Sequence, residues 1–178
     1  MTLFAVVVAV APSVVLLTYF YLRDRYEREP MHHVAAAYGL GMYSMIAAQG
    51  IALGAESWVP GDWLRGGSEL ARLFDALVLS GFLEELSKLV VLAGGVYHWE
   101  ELDEPLDGLL YGVAVALGFA TLENLLYLSR YGLAIWWQRA VFAVPAHALF
   151  GGTMGYYLGK AKLDKAAHRE GKKWLDRT

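Results

Sequence analysis

Apolar residues run through this chain in long blocks separated by short polar ones. Leu3 to Leu22 is almost uninterrupted. At 1.5 Å per residue, about 20 residues suffice for one membrane crossing. No basic segment precedes the block and no small-x-small cleavage site follows it, so it reads as a retained span, not a signal peptide. Mixed charges from Arg23 to Glu29, then Pro30, end it. The second block, residues 33–54, is rich in Ala and Gly, which let helices approach closely. Glu56 to Gly67 carries Trp58 and Trp63 among glycines and Pro60, the composition of a loop anchored at the membrane interface. Further blocks cover 70–97, 107–128 and 135–158. The pattern predicts an all-α polytopic transmembrane bundle of about five spans, one domain over 1–160, with a basic cytoplasmic tail over 161–178.

Composition agrees with the pattern. The chain is 57% hydrophobic and 19% charged, against about 25% charged in soluble domains. It has no cysteine, which excludes disulfides and thiolate metal sites. No basic patch suggests nucleic acid. With five spans, one side of the membrane takes ten Lys/Arg, three in the first loop and seven from Lys160 onward, and the other takes at most four. That bias predicts the N-terminus outside and the C-terminus in the cytoplasm of a cell-membrane protein.

The chemistry lies in the polar residues that interrupt these blocks. Glu84, Glu85 and Lys88 sit inside the third. Each buried charge costs about 2.5–3.5 kcal/mol, so such side chains face a protein interior or water. Glu84 and Lys88 are four apart and share a helix face, so they can pair. The second glutamate is left over and must be protonated, bind a cation or hold a water. Glu123 and Asn124 interrupt the fourth block, and His147, two residues after Pro145, the fifth. With Arg72, Arg130 and Arg139 taken as marks of the outer interface, Glu84, Glu123 and His147 lie about 18, 10 and 12 Å deep, near one level. Taken singly, each has a bland reading as an interhelical ion pair or hydrogen bond. As a group they can activate water for hydrolysis, directly or through a divalent metal such as zinc on Glu84, Glu123 and His147. The same acids also suit a small proton- or cation-coupled transporter, and a binding relative such as a membrane chaperone would need none of them. No HExxH is present.

Five pieces of sequence, in order, resemble the PrsW family of intramembrane proteases, distant relatives of the CAAX-protease and bacteriocin-processing superfamily. They are Tyr21 to Pro30, Glu84-Glu85-Leu-Ser-Lys88, Asp107-Gly-Leu-Leu-Tyr-Gly112, Gly118-Phe-Ala-Thr-Leu-Glu-Asn124 and Pro145-Ala-His147. The resemblance implies that Glu84, Glu85, Glu123 and His147 are catalytic and that Lys88 and Asn124 support them. It implies a membrane-embedded protein substrate resembling an anti-sigma factor. Two departures separate the chain from the CAAX proteases proper. Leu89 stands where their EExxxR has its arginine, and Glu123 stands where their FxxxH has its histidine. The superfamily often has more than five spans, and Trp58 to Leu64 is where a re-entrant segment would fit.

Overall fold

In the computed structural model, residues 2–24, 28–56, 69 and 81–175 are described, and among them no strand occurs. The long helices are α1 (Leu3–Arg23), α2 (Met31–Glu56), α3 (Leu83–Gly94), α4 (Pro105–Tyr131) and α5 (Val144–Leu175). Among the described residues, three stretches are long and apolar enough to cross a membrane: Leu3–Arg23, Met31–Gly54 and the 64-residue Pro105–His168. The last holds both α4 and α5. Of the expected third span, residues 70–80 lie outside the described residues, as does the suggested re-entrant segment from Trp58 to Leu64; what is seen is the 12-residue α3.

Helix α4 is the centre of the bundle. Small and β-branched residues cover all its faces, and Val113 to Leu117 are at most 1% exposed. A helix that is apolar all round belongs inside. Pro105 occupies its first turn, where a missing N–H costs nothing. The N–H of Glu104 donates to Asp107 Oδ2 at 2.6 Å, which caps the same end. Gly132, at φ 68°, ends α4 in a backbone conformation that favours glycine.

Helices α4 and α5 run antiparallel along a seam of glycines. A Cβ on Gly155 would strike the carbonyl oxygen of Gly108 and come within 2.9 Å of the Gly112 Cα. One turn along, Gly112 meets Gly151 in the same way. The small-xxx-small spacings at 108/112 and 151/155/159 therefore serve one another. On another face of α4, Gly118 lies against the Tyr38 backbone of α2.

The chain between α4 and α5 is irregular. A short 3-10 turn (Gly132–Ile135) and three α-helical residues lead into a π-helical segment, Arg139–Ala143. Pro145 follows two residues later. It has no N–H to offer the carbonyl four residues before it, and the wider π turn lies where that bond is lost.

Candidate active site

Three helices and the π segment deliver polar side chains to one place. The first turn of α3 brings Glu84 and Glu85, and Lys88 follows on the next turn. Helix α4 brings Glu123 and Asn124, which are 7% and 2% exposed. Helix α5 brings His147. One ligand atom from each of Glu84, Glu123 and His147 lies within 4.8 Å of the others.

Lys88 is wholly buried, and its ammonium has three protons to place. Nζ donates to Glu85 Oε1 at 2.6 Å and to His147 Nδ1 at 2.7 Å. The face of Phe119, with its centroid 4.2 Å from Nζ, takes the third direction. Because lysine only donates, His147 Nδ1 is the acceptor. The ring proton then sits on Nε2, which donates to Glu123 Oε2 at 2.9 Å. The imidazole is thus gripped from both sides in a neutral tautomer. Spacing alone lets Lys88 pair with Glu84, four residues back; its partner at 2.6 Å is Glu85, three residues back. The placement of His147 beside Glu85, at 3.8 Å, explains that choice.

Arg139 is the group that sequence reasoning missed. Taken as a mark of the outer interface, it is instead in the site, its side chain 12% exposed. It donates to Glu123 Oε2 and to Asn124 Oδ1, both at 2.6 Å. Its guanidinium carbon lies 4.1 Å from the centroid of Tyr127. The available signal was an arginine inside the predicted 135–158 span, as costly there as the glutamates. Asn124 in turn donates from Nδ2 to the Ala9 carbonyl of α1 at 3.1 Å.

Among the described residues, Glu84, Glu85 and Glu123 thus gather with two permanent cations, Lys88 and Arg139, around a neutral His147. The donor chemistry suits a divalent cation, with two carboxylates and an imidazole drawn from three helices. Beside them, Glu85 Oε2 is buried without a hydrogen-bond partner, an acceptor still open to a ligand or water. Carboxylates held near N–H donors can also take a proton from water.

A family profile described as PrsW family intramembrane metalloprotease matches residues 29–175. A Bacillus subtilis (strain 168) protein named Protease PrsW is 42% identical over 174 residues, 97% of this chain and 75% of that protein. A Geobacillus kaustophilus (strain HTA426) protein of the same name is 41% identical over 155 residues, 86% of this chain and 64% of its own length. One from Clostridioides difficile (strain 630) is 32% identical over 160 residues, 88% and 65%. The chain thus spans roughly two thirds to three quarters of these relatives. No solved structure matches it. With apolar helices fit for a bilayer and an internal constellation of acids around a histidine, the chain belongs to the PrsW family of intramembrane proteases and is an integral membrane peptidase.

Proposed function

We propose that Glu84 and Glu85 activate the water that hydrolyses a peptide bond of a membrane-embedded protein, with Glu123 and His147 completing the site. The observation that carries this reading is the meeting of Glu84, Glu123 and His147 within 4.8 Å from three helices. Water adds through its oxygen to the scissile carbonyl carbon and gives its proton to a carboxylate oxygen of Glu84 or Glu85. As the C–N bond breaks, that proton passes to the departing amine nitrogen and the carboxylate is restored. The Lys88 ammonium and the His147 Nε2–H are bonded to Glu85 and Glu123, and their part in this reading is to hold those carboxylates in place.

Glu84, Glu123 and His147 are the residues that would hold a divalent metal once His147 gave up its Nε2 proton, with zinc suited to this mixture of imidazole and carboxylate. Such an ion supplies Lewis acidity toward the carbonyl and lowers the pKa of water. The open Glu85 oxygen supports that fit.

The substrate we infer resembles an anti-sigma factor, cut near the outer face of the membrane. This rests on the family resemblance. The five-span topology with the N-terminus outside and the tail in the cytoplasm belongs to the same proposal and rests on the Lys/Arg bias.

The test is metal analysis on detergent-purified protein after a mild chelator wash, beside cleavage of a tagged single-span membrane protein. Wild type should carry metal in stoichiometric amount, and Glu84→Ala and His147→Ala should lose it. Glu84→Ala and Glu85→Ala should also stop cleaving while remaining folded. Full activity in both glutamate variants would overturn the assignment. An active wild type without metal would leave the carboxylates as unaided bases and remove only the metal.

A further inference from the structure

Arg139 has no step in the reaction above, yet its placement is more specific than charge balance requires. A guanidinium does not shed its proton, so it stays charged inside an apolar segment. Its fork spans two neighbouring residues of α4, one nitrogen on Glu123 Oε2 and another on Asn124 Oδ1, both at 2.6 Å. The ring of Tyr127 closes a third side. The two bonds fix Asn124 as well as Glu123, because its Oδ1 is turned to Arg139 while its Nδ2 holds the Ala9 carbonyl. Glu123 Oε2 accepts from Arg139 and from His147 Nε2 together, so the carboxylate cannot rotate without losing both donors. The residue that does this opens the π-helical Arg139–Ala143, and π turns recur at functional sites.

We propose that Arg139 is a positioning residue, which locks the Glu123 carboxylate against His147 and so holds the imidazole in the orientation it presents to Glu84 and Glu85. The inference rests on the proposed site and extends it. A simple structural ion pair would ask only for a positive charge near Glu123. Positioning asks for the two-pronged guanidinium, which a lysine cannot reproduce.

The experiment compares wild type, Arg139→Lys, Arg139→Ala and His147→Ala in detergent. The probe is whichever tagged single-span membrane protein wild type cleaves fastest from a panel. Arg139→Lys and Arg139→Ala should each lose about 10- to 100-fold in kcat, the usual cost of removing a group that orients a site residue. KM should stay near the wild-type value. Millimolar guanidinium should restore part of the kcat of Arg139→Ala and none of that of Arg139→Lys. In ¹⁵N spectra of labelled histidine, the His147 ring signals, assigned by their absence from His147→Ala, should move in Arg139→Lys. Wild-type kcat in Arg139→Lys, a loss confined to KM, or unmoved His147 signals would each overturn the proposal. If Arg139→Ala does not fold, Arg139→Lys decides, since it keeps the charge. An active His147→Ala would sink the site itself, whereas an inactive His147→Ala beside fully active Arg139 variants would sink only the role of Arg139.

Discussion

Helix α4 carries two buried polar clusters, and they treat acid in opposite ways. Near its C-terminal end, Glu123 is held with Arg139, His147, Lys88 and Glu85 in a network of ion pairs. About 24 Å away, at the N-terminal end, Glu29 and Asp107 are just as buried, at 6% and 5% exposed. There, among the described residues, no ion pair involves either acid. Glu29 accepts from the Tyr111 hydroxyl, and Asp107 takes the backbone N–H groups of Asp103 and Glu104. Trp99 stands edge-on to Tyr111, and its carbonyl takes Nζ of Lys162 from α5. At this end neutral donors hold the two buried acids, and the Lys162 ammonium is given to a carbonyl. At the other end cations face the carboxylates themselves, where the proposed chemistry needs them ionised. A buried acid can be settled by a proton or by a cation, and only the second leaves it a base.

The largest effects should come from breaking the compensated cluster. Glu84→Ala and Glu85→Ala should abolish cleavage by the purified protein while leaving it folded, with Glu85→Ala the less stable of the two because it takes the carboxylate from the buried Lys88 ammonium. Lys88→Ala should abolish cleavage and also destabilise. It leaves Glu85 and His147 without their shared cation, and removing one partner of a buried pair costs about 3–5 kcal/mol. Denaturant titration in mixed micelles reads that loss. A Lys88→Ala protein as stable as wild type would mean that water already solvates the site, and the comparison with the other end would fail.

The glycine seam joins the two clusters and should damage both. In Gly155→Val the new side chain meets backbone at Gly108 and Gly112, which cannot yield as a flexible side chain can. Overpacking of this kind costs about 1–3 kcal/mol or more. Cleavage should fall with it, since α5 carries His147. Tyr111→Phe probes the neutral end alone. It leaves the Glu29 oxygen without its buried donor, a cost of about 1–3 kcal/mol, and cleavage by the folded fraction should persist. Loss of activity there at unchanged stability would tie the two ends together.

Much of the bundle is legible in the residues because bilayer physics is local. Twenty apolar residues, or glycines four apart, carry their meaning without a partner. The same holds for Glu84, Glu123 and His147, each conspicuous because a charged or ionisable group in an apolar block needs a reason. Choices between partners are not local. Lys88 takes Glu85 because His147, 59 positions away, stands on that side. Arg139 enters the site through a π turn, which shifts the helical phase in a way that a steady 3.6-residue count does not anticipate. The bond between Glu29 and Tyr111 joins positions 82 apart through a loop, and neither residue announces the other.

The smallest predicted effect is the most direct test of how the neutral end works. Burial raises the pKa of Glu29 above its ordinary 4.5, and Asp24 and Asp103 nearby push it the same way, while the Tyr111 and Asp107 hydrogen bonds oppose the rise. The folded protein therefore holds this proton more tightly than the unfolded chain does. Below the unfolded value both states are protonated and folding loses nothing. As pH rises through the unfolded and then the folded value, the unfolded chain releases its proton first, and stability falls. Glutamine at 29 keeps an acceptor for the Tyr111 hydroxyl and cannot ionise. Glu29→Gln should thus flatten the fall in thermal stability between about pH 5 and about pH 8. At the upper end it should match or exceed wild type, by no more than about 1 kcal/mol, the scale of one net hydrogen bond. Cleavage should be unchanged, because the site lies at the far end of α4. If Glu29→Gln keeps the wild-type slope, the fall belongs to another group, the neighbouring Asp107 first among them; if it loses stability at neutral pH, then Glu29 is ionised in the folded protein, and the two ends of α4 handle buried acid in the same way.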